Sequence, residues 1–157
     1  MAAIHADGCL KRTGLAERTG RGIDRIFEGA LNYGRPLPDY SRSNRRGVSV
    51  LLPRSVPDKA FVELLAEERE RSGKSMSLDG LLILDKLKSE RRCGFDVLSG
   101  SLDMSDQRLR TVLGQLTEAG LVESAGVGAR RTYMLGAKVY RRSGRAMEYV
   151  RQSDIDR

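Results

Sequence analysis

Gln107, Arg110, Thr111 and Gln115 recur at spacings of three and four, so a helix would gather them on one face. Arginine and glutamine can pair with base edges, and threonine can reach a phosphate or a thymine methyl. The chemistry open to such a face is the reading of duplex DNA. Ser105 and Arg108, at the start of the same run, belong to this candidate set, and so do Arg130 and Arg131 further on. The plain alternative is an amphipathic helix with a solvated polar face. Gly114 lies on that face at a cost of about 1 kcal/mol relative to alanine. Close approach to another backbone would explain it, and so would simple tolerance.

The residues between carry the structural signal. Leu109, Val112, Leu113 and Leu116 form one apolar stripe in Ser105–Leu121. Ser105 is a good N-cap, Asp106 complements the positive end of the helix dipole, and Gly120 suits the position that ends the helix. Upstream, Phe95–Ser101 reads as a short helix, with Val97, Leu98 and Leu102 inward and a tight turn over Leu102–Met104. Short helix, turn and longer helix make a helix-turn-helix. Ser77–Arg91 is a third helix, apolar at Leu81, Leu82, Leu84 and Leu87. Downstream, Leu121–Ser124 and Thr132–Leu135 read as strands joined by a glycine-bearing loop that Arg130 and Arg131 close. The expected fold class is α+β, mainly helical, built on a winged helix-turn-helix over 73–136. The wing is the basic loop at 125–131.

Composition narrows the function classes. The chain has 157 residues and a net charge of +7, divided as +4 over 1–53, −1 over 54–72 and +4 over 73–157. A basic balance favours polyanions through counterion release. The absence of tryptophan argues against stacking platforms for single strands. No apolar run approaches the roughly 20 residues of a membrane span, and the N-terminus lacks an apolar signal core, so a cytoplasmic protein is expected. Cys9 and Cys93 are far apart and read as free thiols. His5, the one histidine, makes no zinc site with Cys9, and no catalytic set forms around it. Neither enzyme activity nor a cofactor or metal is expected.

The first fifty residues hold less. Thr19–Gly22 is a glycine-bearing turn. Ile23, Ile26, Phe27, Ala30 and Leu31 give an amphipathic helix over Ile23–Tyr33, stopped by Gly34 with Pro36 and Pro38 beyond. Val48, Val50 and Leu52 alternate, so Gly47–Leu52 is expected as a strand. One helix and one strand close no core alone. They must pack on the second half, a partner chain or a missing upstream domain. A homodimer is expected, burying this helix or the Phe61, Leu64 and Leu65 face of a connecting helix in 54–72. The acidic Glu67, Glu68 and Glu70 of that helix read as a solvated face. A last helix, Ala137–Arg151 within 137–157, sets Arg141, Arg142, Arg145 and Arg151 either along a phosphate backbone or in solvent.

The run ERTGRGIDRIFEGALNYGRPLPDY, from Glu17 to Tyr40, followed by VSVLLP, resembles the end of the ATP-binding-like domain of bacterial RecG-related transcriptional regulators. The later SLDGLLILDKL, the Leu109–Leu121 helix, TYMLGAKVYRR and YVRQ are similar to the winged-helix part of that group. The resemblance implies an N-terminal Schlafen AlbA-type domain, a histidine-kinase-like ATPase segment and winged helices. Residues 1–53 would be the C-terminal part of the ATPase-like segment. Gly20 and Gly22 match only its late glycine motif, and the upstream motifs for magnesium and adenine are absent. The chain thus reads as a C-terminal fragment, or a gene reduced to one.

Three functions compete at this level: a DNA-binding transcriptional regulator, a protein-interaction or dimerisation module on a winged-helix scaffold, and a nucleotide-dependent enzyme. Without the upstream motifs, no ATP hydrolysis and no ATP binding tighter than millimolar are expected. Calorimetric titration checks this, and micromolar affinity would promote the Gly20–Gly22 turn to a site.

Overall fold

The protein is described by a computed structural model over residues 21–102 and 104–142. The expected turn at Thr19–Gly22, His5, Cys9, Asp103 and most of the last helix, with Arg145, fall wholly or partly outside those residues. The elements are α1 Gly22–Asn32, α2 Lys59–Ser72, α3 Leu78–Glu90, β1 Arg92–Gly94, α4 Phe95–Leu102, α5 Asp106–Glu118, β2 Val122–Ala125, β3 Thr132–Leu135 and α6 Ala137–Arg142. A single 3-10 turn, Gly128–Arg130, lies in the loop between β2 and β3. Helix, helix, helix, strand, loop, strand is the winged-helix order, and the fold is the mainly helical α+β class expected.

Three helices, α2, α3 and α5, start where a side chain can satisfy an orphan amide. Asp58 Oδ1 accepts from Phe61 N at 3.0 Å, Ser77 Oγ from Gly80 N at 3.3 Å and Ser105 Oγ from Arg108 N at 3.4 Å. Gly120, with φ of 69°, follows α5 as expected. It lets Leu121 N reach Leu116 O at 2.9 Å, turning the chain at once into β2.

The sheet has three strands in the order β1-β3-β2, all antiparallel. Sequence reading found two of them. β1 is too short to show an alternation, and its register, Cys93 opposite Tyr133, is set only by tertiary pairing. Gly136, just after β3, comes so close to the α5–β2 turn that an added Cβ would stand 2.3 Å from Gly120 O. Its amide donates to Leu121 O at 2.8 Å, fastening the end of the wing to the start of β2.

The core centres on α3. Leu81, Ile83, Leu84 and Leu87 are fully buried. Leu98 of α4, the whole α5 stripe, Val122, Leu135, and Phe61 and Leu64 of α2 join them in one cluster. Leu31 of α1 belongs to the same cluster, so α1 packs on the second half of the chain. Of the partners left open for α1, this one is realised. The amide of Asp58 donates to Gly34 O at 2.9 Å and ties the end of α1 to the start of α2.

Three expectations are corrected. Residues 47–52 form no strand. Asp39 and Leu51 make an isolated bridge, and Val48, Val50 and Leu52 are 78%, 45% and 68% exposed. Among the described residues only single bridges reach this stretch, Asp39 with Leu51 and Asn44 with Gly47, so the alternation extends into no ladder. The Phe61 and Leu64 face is filled by the protein's own core, so it is not free for a second copy. The acidic run of α2 is a solvated face only at Glu70, which is exposed. Glu68 is buried and accepts from Arg71, with Lys138 Nζ at 3.6 Å, while Glu67 pairs with Arg142. Those pairs dock α6 on α2. They also use Arg142, which sequence alone could equally have placed along a phosphate backbone.

The Arg71 hydrogen bonds, with Lys138 behind them, hold the Glu68 carboxyl below its ordinary 4.5. A depressed acid stabilises the fold above the unfolded value and loses that contribution as pH falls through the folded value. Glu68→Gln is therefore expected to cost about 1–3 kcal/mol at pH 7. That corresponds to a Tm lower by roughly 2–10 °C. The difference from the parent should close below about pH 4. Thermal melts across a pH series check it; an equal loss at pH 3 and pH 7 would assign the effect to packing.

Candidate nucleic-acid interface

The apolar stripe of α5 is wholly consumed by the core, and that fixes which way the helix faces. Leu109, Val112, Leu113 and Leu116 are buried. Gln107, Arg110, Thr111, Gly114 and Gln115 are all exposed. Thr111 Oγ1 donates to Gln107 O at 3.0 Å, one turn back, which keeps its hydroxyl on the helix and turns its methyl outward. Gly114 has nothing within 4 Å of the position a Cβ would take. No contact inside the described residues requires a glycine there.

Two grooves flank the face. On the wing side, a groove of about 390 Å³ is lined by Phe95, Asp96, Arg110, Gly128, Arg131 and Tyr133. The Arg110 guanidinium lies over the Phe95 ring at 4.9 Å from its centroid, and Asp106 Oδ2 is 3.6 Å from Nη2. A cation on an aromatic face with a carboxylate beside it is held in orientation while its remaining N–H groups stay in solvent. Asp106 is itself fixed by Ser99 Oγ, which donates to Oδ1 at 3.0 Å. On the other side, a groove of about 430 Å³ brings Gln115 together with Arg71, Lys74, Ser75 and Ser77.

The sequence-predicted residues are thus only partly brought together. Gln107, Arg110, Thr111 and Gln115 share the open face. Arg130 and Arg131 are exposed in and beside the 3-10 turn of the wing, and Arg131 reaches the same groove as Arg110. Ser105 is the N-cap, its hydroxyl already accepting from Arg108 N. Arg108 turns aside to Asp79 of α3, donating from Nη2 to Oδ1 at 2.9 Å and from Nε to Oδ2. Sequence reasoning missed Phe95 and Asp79. No spacing rule links either to α5, since Phe95 looks like the first core residue of α4 and Asp79 like a dipole-complementing acid at the start of α3. Among the described residues no cluster of histidine, cysteine or acids could hold a metal ion, and no helix is long and apolar enough to cross a membrane.

Buried in β1, Cys93 is a free thiol whose pKa burial pushes up, so it stays protonated and unreactive at neutral pH. Burial also raises Asp85, and the nearby Lys88 charge offsets only part of that rise.

Gly114→Ala separates the structural reading of the open face from the functional one. With free space at the Cβ and an exposed helical site, alanine is expected to stabilise the fold by about 0.5–1 kcal/mol. If the α5 face seats on a nucleic-acid backbone at that point, the same change lowers affinity while raising the Tm. Melting and binding measured on the one variant check both halves. A lower Tm would show that Gly114 is needed by the fold.

No family model matches the chain, and no curated protein matches it. Among solved structures, the oxidised form of MarR from E. coli is similar over 66% of this chain and 89% of that one, at 12% identity and a TM-score of 0.37. A likeness at that level carries no argument about function, and the winged-helix assignment rests on the order and packing of the elements themselves.

Proposed function

We propose that the chain is a DNA-binding transcriptional regulator of the winged-helix class, acting as a cytoplasmic homodimer rather than as an enzyme. One observation carries this reading. The helix α5 buries its apolar stripe completely, yet it keeps a contiguous row of groove-suited side chains in the open, beside an arginine-bearing wing. A major groove about 12 Å wide admits such a helix. Gln107 and Arg110 would approach base edges, with Thr111 and Gln115 at their sides. Arg130 and Arg131 would meet phosphates or a minor groove. Ile23 and Ile26 of α1 and the neighbouring Tyr33 stay exposed, and they are the apolar surface we assign to the dimer contact. The resemblance to RecG-related regulators supports the same role, with residues 73–136 as the reading unit. The upstream nucleotide motifs are not in this sequence, so we assign no ATP site.

A second reading is an interaction module that does not bind DNA. It is favoured by the exposed Val48, Val50, Leu51 and Leu52, which suit a protein partner better than a duplex.

The two readings part on arginine. Arg110→Ala is expected to cost about 1–3 kcal/mol of affinity on a selected sequence and little on random DNA. Arg130→Ala with Arg131→Ala is expected to weaken both DNAs alike and to reduce the salt slope by roughly one to two. None of these changes should unfold the domain, whereas Leu113→Ala should cost about 2–5 kcal/mol of stability. Fluorescence anisotropy on both DNAs over a salt series, after selection from random fragments, makes the measurement. If every arginine variant binds like the parent, the interaction-module reading takes over.

A further inference from the structure

We infer that Asp79 is a positioning residue for the α5 face, holding Arg108 as a pre-ordered contact for a DNA phosphate. The inference rests on the DNA-binding reading and adds to it a residue from a different helix.

Three observations carry it. Asp79 belongs to α3, and its side chain is only 12% exposed, while that of Arg108 is 65% exposed. The pair is two-pronged, with Nε and Nη2 of Arg108 donating to the two carboxylate oxygens of Asp79. A guanidinium has five N–H groups, so Nη1 and the second hydrogen of Nη2 remain for an outside acceptor. The arginine is therefore anchored at one edge and open at the other. Its backbone amide is also fixed, by the Ser105 cap.

Stability alone is a poor reason for this pair. An ion pair whose arginine stays largely in water adds little to stability. The α3–α5 contact already has Leu81, Ile83, Leu84, Leu109, Val112 and Leu113 to hold it. An acid near a polyanion also works against non-specific attraction. What it supplies is order. A free arginine loses rotamer freedom on binding, whereas an arginine fixed by a bidentate carboxylate has lost it beforehand.

The two effects have opposite signs on different DNAs. Random duplex responds mainly to net charge, and a selected duplex responds also to geometry. Asp79→Asn is expected to lower the preference for selected over random duplex about tenfold, with affinity for random duplex unchanged or higher. Arg108→Lys keeps the charge but loses the fork, so it should reproduce the lost preference while keeping the salt slope. Arg108→Gln should reduce the slope by about one on both duplexes. Because Asp79 acts through Arg108, Asp79→Asn placed on Arg108→Gln should lower the preference no further.

The experiment is anisotropy with the full chain, the selected duplex and random duplex across a salt series, with melts of each variant. An unchanged preference in Asp79→Asn overturns the inference. So does a loss of equal size in the Arg108→Gln background. If Asp79→Asn melts early, Arg108→Lys decides in its place. A parent protein with no preference for any duplex overturns the regulator reading, and this inference with it. A parent preference that survives both Asp79→Asn and Arg108→Lys overturns only the inference.

Discussion

Leu81, Ile83, Leu84 and Leu87 of α3 are shut off from water, and nearly every other element is placed by the need to cover them. α5 lies across one side, α4 and the sheet close another, α1 and α2 close the rest. Burying a large aliphatic side chain stabilises by about 1.5–3 kcal/mol, so a helix with apolar residues around most of its girth is satisfied only at the centre. Once α3 is central, α5 has one stripe to give to the core. Its remaining surface, with Gln107, Arg110 and Thr111, is left outside. The open face is a consequence of the packing rather than a separate feature added to it.

Charge is sorted by the same geometry. Among the described residues, several cations of the last part of the sequence are paired with acids. α2 lies against α6, and Glu67 and Glu68 engage Arg142 and Lys138. Asp79 engages Arg108, and Asp106 approaches Arg110. The wing adds Arg130 and Arg131, and the groove beside Gln115 adds Lys74, all of them exposed. Paired arginines are not lost to recognition. A carboxylate on one edge of a guanidinium, or the Phe95 ring beneath it, leaves other N–H groups available and fixes their direction. Such a face would work through a few oriented donors more than through bulk positive charge.

Much of this was legible in the sequence, and for clear reasons. The helices α3, α4 and α5, the capping role of Ser105, the turn at Gly120 and the outward set on α5 all follow from local chemistry. A helix repeats every 3.6 residues, a cap needs one side-chain oxygen at one position, and a C′ residue needs left-handed backbone. Those signals lie within a few residues of the feature they specify. The same locality misled at Gly47–Leu52, where a strand-like alternation has no strand beside it. Such an alternation names a face but supplies no partner.

What the sequence by itself determined is therefore the order of elements, the winged-helix class, and which side of α5 is apolar. Only the tertiary structure decided the third strand, the docking of α6 on α2, the burial of Leu31 with the second half, and the partners of Arg108 and Arg110. Those features join residues far apart in the chain, such as Asp79 with Arg108, Phe95 with Arg110, and Glu68 with Lys138. No periodicity or motif spans such distances. They are chosen when the chain folds, because a buried carboxylate must find a cation and a short strand must find an edge.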